Sequence, residues 1–392
     1  MTAPSAANAA PPIEPPKARS LAARWSGAAL LAFLAGGLAT TVTAVVTQRL
    51  DLLPHALTRA AFLDGASMRD MAQALANAPF ARVAAERERE LSWLAISDLG
   101  PQVREGCPGW LFLAEELAPQ VDGDRYLRDR ARAVVEIQAA LRQRGIRLMV
   151  AVVPDKSRIE TQRLCELDRS LALEGRLRGF VSRLAAAGVP VVDTTPALKT
   201  LQDRGEDPFL RTDTHWTENA ADAAARAVAD VARSLGLELS PQQNWDVVRG
   251  MPARRPGDLV RLAGLDGLPL SLQPVPEEAS DSSFTLRKPD AAVAAASSAA
   301  SAEAELFGDA DLPQVALIGT SFSRTSHFAE FLAAALQTPV GNFAKDGGNF
   351  WGSPSAYFAS DAFRQTPPKL IVWEMPERVL QLPRGQERWA LP

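Results

Sequence analysis

The sequence predicts an α/β fold, a parallel β-sheet flanked by helices, preceded by one N-terminal transmembrane helix. Three observations carry this expectation. The runs 147–153, 315–318 and 370–373 are almost wholly apolar, as strands buried on both faces of a sheet are. Helical patterns that stop at glycine alternate with them, which is the βαβ rhythm. Finally, residues 25–48 hold 24 positions without a charge.

Taken in order, residues 1–24 are rich in Pro and Ala and read as a disordered tail. As a helix, the charge-free stretch rises ~36 Å at 1.5 Å per residue, against a hydrocarbon core about 30 Å thick. It reads as a transmembrane anchor, the alternatives being a cleaved signal peptide or a buried helix. Lys17, Arg19 and Arg24 precede the span, so the positive-inside rule leaves the N-terminus cytoplasmic and sends the rest across. In a bacterium that describes a single-pass inner-membrane protein whose main domain is periplasmic. In such an oxidising compartment Cys107 and Cys165, 58 positions apart, are candidates for a disulfide, with two free thiols as the alternative.

Residues 55–98 read as helical, with the charged run 86–90 on a solvated face. A turn at 106–110 leads into a strand-like segment around Leu111, Phe112 and Leu113. Helices are expected over 125–144, 171–187, 218–235 and 326–336, and strands over 147–153, 189–193, 315–318 and 370–373. The main domain is thus expected over 55–392, with a flexible low-complexity insertion at 277–305. A net charge of −4 without a long basic run gives no support for a nucleic-acid partner. The absence of Cys-x-x-Cys and of clustered histidines gives none for a metal, and no cofactor is expected.

Two short stretches carry the chemistry. His215, one of only three histidines, follows Asp213 by two positions and precedes a helix. Ser321 lies just after the strand 315–318, where open α/β sheets place ligands. A serine hydroxyl needs a base to take its proton, and a histidine needs a carboxylate to hold its tautomer. Asp213, His215 and Ser321 therefore form a candidate triad. The alternatives are helix caps at either stretch, a lone packed histidine, a metal held by Asp213 and His215 with no third ligand evident, and His327 as a rival base.

In this order, Asp213-Thr214-His215-Trp216 and Gly319-Thr320-Ser321-Phe322-Ser323 resemble the SGNH-hydrolase-like alginate O-acetyltransferases. Further matching pieces are 108–112, Gly257-Asp258-Leu259 and 373–378, so the resemblance covers roughly residues 60–380. It implies that Asp213, His215 and Ser321 are catalytic. It also implies a membrane-bound O-acyltransferase as partner supplying acetyl groups, and a secreted polysaccharide as acceptor, alginate-like or cellulose-like. One departure from ordinary SGNH enzymes is Thr320 where they carry an aspartate before the nucleophile. For the oxyanion or substrate, Gly348 and Asn349 are candidates on a Gly-Gly loop, and Trp216 and Tyr357 are candidate stacking aromatics. Glu374, Glu377 and Arg378 read as structural. Two other functions use the same residues: a carbohydrate acetylesterase, with water in place of the sugar, and a non-catalytic scaffold of a polysaccharide-secretion complex.

Overall fold

A computed structural model describes residues 21–47, 49–53, 58–287 and 312–383. Most of the expected N-terminal tail, His55 and positions 288–305 of the expected insertion lie outside these. The chain divides into two compact units, Met1–Leu91 and Ser92–Pro392. The first contains helix α1 (Leu21–Val46), whose stretch Ala23–Val46 is long and apolar enough to cross a membrane. It continues through helices Arg59–Leu63 and Ala66–Ala76.

The second unit is built on five parallel strands: β3 (Arg147–Val153), β4 (Val191–Asp193), β5 (Val315–Ile318), β6 (Val340–Asn342) and β7 (Leu370–Pro376). Their spatial order is β6-β5-β7-β3-β4, so the last strand in sequence is the central one. The apolar runs are continuous because both faces are covered. Met149, Ala151, Val153, Leu317 and Val372 point into one core, and Leu148, Val150, Val152, Ile318 and Trp373 into the other. The first core lies under helices α4 (Glu218–Ser234) and α6 (Phe328–Leu336). Helix α4 presents a stripe of alanines there, including Ala221, Ala225 and Ala229, which lets it approach closely. The second core is covered by α2 (Gly123–Gln143) and α3 (Glu174–Ala186), whose apolar residues recur at helical spacing.

Before the sheet, β1 (Val103–Glu105) and β2 (Leu111–Leu113) form an antiparallel hairpin. It packs its apolar side on α5 (Asp258–Leu262), through Val103, Leu111, Leu259 and Val260. Cys107 and Cys165 are bonded, tying the hairpin turn to the segment after β3.

Part of the expected flexible insertion is ordered. Glu277–Ala279 pairs with Ala253–Arg255, and Ser283–Leu286 with Trp245–Val248. The reason is local alternation within a low-complexity context. Glu277 and Ser282 face inward and are buried, each bonded to a distant partner, while Glu278 and Ser283 face water.

Candidate active site

Ser321, His215 and Asp213 meet at the carboxyl ends of the strands, where an open α/β sheet binds its ligands. Ser321 follows β5 on a short 3-10 turn, Ser321–Ser323, capped by the Thr320 hydroxyl. Its Oγ–H donates to His215 Nε2 at 2.7 Å, and His215 Nδ1–H donates to Asp213 Oδ1 at 2.6 Å. The same Asp213 oxygen accepts the backbone N–H of His215 at 2.9 Å, which fixes the carboxylate beneath the ring. Phe322 packs its ring edgewise on the imidazole, with centroids 5.0 Å apart.

The loop carrying Asp213 and His215 is a tight excursion pinned by a bridge between Phe209 and Trp216. It ends at Thr217, whose hydroxyl caps α4 by accepting the N–H of Ala220. Glu277 accepts both the N–H and the hydroxyl of Thr212. Asp258 opens α5. Its carboxylate accepts the Thr214 N–H at 2.7 Å and hydroxyl at 2.6 Å, and its own N–H donates to Asp213 Oδ2 at 3.2 Å. Gly257 is required there, since a Cβ would stand 2.0 Å from the Thr212 carbonyl oxygen. Burial pushes the Asp213 carboxyl up, but the bonds from His215, its charge and that of Arg255 outweigh this and hold it well below the usual carboxylate range. Asp258 is shifted the other way, by burial first and by the neighbouring Asp213 charge second.

The serine side is held by Glu374 on β7, fully buried. It accepts the Thr320 N–H at 2.7 Å, the Thr320 hydroxyl at 3.0 Å and the Ser323 hydroxyl at 2.9 Å. Burial raises its pKa despite those bonds. A Cβ on Gly319 would come within 2.5 Å of this carboxylate, so the nucleophile turn and Glu374 are fitted to each other. Glu377 belongs to a separate buried network, accepting Arg158 at 2.7 Å, Arg169 at 3.1 Å and Arg176 at 3.2 Å.

The three residues open into a cleft of about 990 Å³. Arg255, Arg261 and Arg324 are exposed along it, and Gly347 and Asn349 line it together with Ser321. The N–H of Ser321 carries no hydrogen bond among the described residues. Three candidates are corrected here. Gly348 is buried and spends its N–H on the Lys345 carbonyl, at 3.1 Å. Trp216 is fully buried against Phe322 and Phe328, and Tyr357 packs on Phe343 and Phe363. Both aromatics are used by the core, so neither has a face free to stack on a sugar. His327, the rival base, pairs with Asp281 at 2.8 Å and not with the serine.

Among the described residues, two groups gather ligand-type atoms within 4.8 Å of one another, Asp213 with His215 and Asp258, and Glu218 with Asp281 and His327. In the first, both imidazole nitrogens are already engaged. In the second, Glu218 is bonded to Ser282 and paired with Arg249.

A serine, histidine and aspartate assembled over a doubly covered parallel sheet have the arrangement found in hydrolase-like domains. The chain belongs to the family described as "SGNH hydrolase-like domain, acetyltransferase AlgX", whose model matches residues 103–377. It is 32% identical over 307 residues to the "Probable alginate O-acetylase AlgJ" of Pseudomonas aeruginosa, covering 78% of this chain and 77% of that protein. Among solved structures, the O-acetyltransferase domain of Pseudomonas putida AlgJ superposes with a TM-score of 0.61 at 29% identity, covering 73% of this chain and 94% of that one. Pseudomonas aeruginosa AlgX superposes with a TM-score of 0.52 at 25% identity, over 70% and 62% of the two chains.

Proposed function

We propose that this protein is a membrane-anchored O-acetyltransferase that places acetyl groups on hydroxyls of an alginate-like exopolysaccharide at the periplasmic face of the inner membrane. The observation that carries it is the unbroken chain of short hydrogen bonds from Ser321 through His215 to Asp213. The family, the relatives named alginate O-acetylases and the apolar helix α1 support the setting. Arg255 and Arg261, exposed in the cleft, offer cations to a polyanionic acceptor, beside the carboxylates of Glu115, Asp266 and Asp346 that line it too.

The mechanism has two halves. As Ser321 Oγ attacks the acetyl carbonyl, His215 Nε2 takes its proton, and Asp213 stabilises the imidazolium that forms. The Ser321 N–H, which has no hydrogen bond among the described residues, is the donor assigned to the developing oxyanion, with Asn349 of the same cleft as a second candidate. Collapse expels the carrier, which leaves with the proton from His215, and acetyl-Ser321 remains. A sugar hydroxyl then gives its proton to Nε2 and attacks the ester, and the proton returns to Ser321 as the acetylated sugar departs. The acetyl donor is supplied by a membrane-bound O-acyltransferase partner.

The test is to incubate the full chain in detergent with p-nitrophenyl acetate and follow intact mass and peptide maps, with and without alginate or cellulose oligosaccharides. An acetyl group on Ser321, absent from Ser321→Ala and transferred to the oligosaccharide, is expected, with His327→Ala unaffected. An adduct released only to water identifies an esterase. Turnover that survives Ser321→Ala overturns the triad, and a folded protein that neither acylates nor turns over points to the scaffold role.

A further inference from the structure

We infer that Lys156 is a positioning residue of the acyl-transfer site: its ammonium clamps the loop that presents Asp213. The inference rests on the triad assignment above.

Lys156 follows β3 and is 1% exposed, yet no carboxylate bonds to it among the described residues. Its Nζ donates instead to three backbone carbonyls: Leu111 at 2.6 Å, Arg211 at 2.8 Å and Asp213 at 3.1 Å. An ammonium has three N–H donors and no acceptor, so all three are used. The rings of Trp110 and Phe112 flank it, with centroids 5.3 and 5.0 Å away, and keep water out. Burial pushes it down to about 8 against the opposing pull of Glu116, Glu277, Asp213 and Glu160.

The carbonyls come from two separate pieces of chain. Leu111 lies on β2, while Arg211 and Asp213 flank Thr212 in the active-site loop. The clamp therefore sets the main chain of Asp213 against the hairpin, two residues before His215. The loop is also held by the Glu277–Thr212 bonds, by Asp258 through Thr214 and by the Phe209–Trp216 bridge, but of these contacts only Lys156 bonds the Asp213 carbonyl and joins it to the hairpin strand at Leu111. Desolvating a lysine is costly, and an apolar side chain of like volume would fill the space; what it would not do is gather three carbonyls. Nor would arginine, whose planar fork points its donors in fixed directions and does not converge three of them on one centre.

The experiment compares Lys156→Met, Lys156→Gln and Lys156→Arg with Ser157→Ala, all as full chains in detergent. Ser157 is a buried neighbour whose hydroxyl bonds to the Glu116 carbonyl, away from the Asp213 loop. With p-nitrophenyl acetate, kcat is expected to fall about 100-fold in Lys156→Met, the scale of a misplaced catalytic group, while KM stays within about threefold. The far-downfield proton resonance of the His215–Asp213 hydrogen bond should vanish in this variant and persist in Ser157→Ala, which keeps its kcat. The triad itself fails if Ser321→Ala retains turnover. If Ser321→Ala is inactive but a folded Lys156 variant keeps kcat and the resonance, the clamp is overturned. A fall of equal size in Ser157→Ala, or failure of all three Lys156 variants to fold, assigns the lysine to folding alone and also overturns it.

Discussion

Asp213→Asn isolates the orienting carboxylate with almost no change of shape. Both oxygens of Asp213 face donors: Oδ1 meets the Nδ1–H and backbone N–H of His215, and Oδ2 meets the Asp258 N–H with Arg255 3.8 Å away. An amide satisfies only one side. With its oxygen toward His215, its NH₂ confronts the Asp258 N–H and the Arg255 cation. Flipped, the NH₂ meets Nδ1, so the ring must carry its proton on Nε2 and has no lone pair for Ser321. The corresponding change in a serine protease lowers kcat by about 10⁴-fold, roughly 5.5 kcal/mol at 1.36 kcal/mol per factor of ten. The same loss is expected here for acetyl-Ser321 formation, read by rapid-mixing release of p-nitrophenol, with the circular dichroism spectrum unchanged. The depressed pKa gives a second check. Stability from the ionised Asp213 is full above the unfolded carboxylate value near 3.9, and is lost only as pH falls through its lower native value. The acidic limb of kcat/KM between pH 5 and 7 should therefore be unrelated to Asp213. A folded Asp213→Asn enzyme within tenfold of the parent would refute the tautomer argument.

Two further outcomes are expected. Glu374→Gln replaces an acceptor of three buried bonds with a group that accepts on one side only, which should cost about 1–3 kcal/mol; a fall in both the thermal midpoint and the acylation rate would show it, and an unchanged rate would detach Glu374 from the nucleophile turn. Replacing Cys107 and Cys165 together by serine opens a loop of 58 residues, whose closure entropy is worth about 4 kcal/mol; denaturant unfolding of the pair variant should show a clearly lower midpoint, and an equal midpoint would count against the bridge.

The strands that were legible in sequence are those buried on both faces. The run 147–153 matches β3 and 315–318 matches β5 because nothing polar interrupts them. Strand β6 was missed: Pro339 and Gly341 lie in and beside it, and it is only three residues long at a sheet edge. The Asp213–His215 pair was visible because histidine is scarce and the acid stands two positions away, and Ser321 because it follows an apolar strand run; that the two stretches, 106 positions apart, meet is shown only by the fold. Lys156, Asp258 and Glu374 were not visible, because their partners are 44 to 57 positions away and only the fold brings them near. For Trp216 and Tyr357 residue type was ambiguous, since an aromatic suits a core as well as a sugar face, and the packing decides for the core. Glu277 shows the limit of reading composition, as one inward carboxylate orders a segment that looks unstructured.

The central place of β7 gives the site a timetable. Strands β5 and β3 have no contact ladder with each other; the chain must travel to Leu370–Pro376 before the gap between them is filled. Glu374, which steadies the serine turn, arrives with that same strand. A polypeptide made from its N-terminus carries Asp213 and His215 before Ser321, and Ser321 before the central strand. It holds no finished nucleophile until its last strand slides into the middle of the sheet. A chain clipped before residue 370 lacks both the central strand and Glu374, and is expected to give no turnover of p-nitrophenyl acetate.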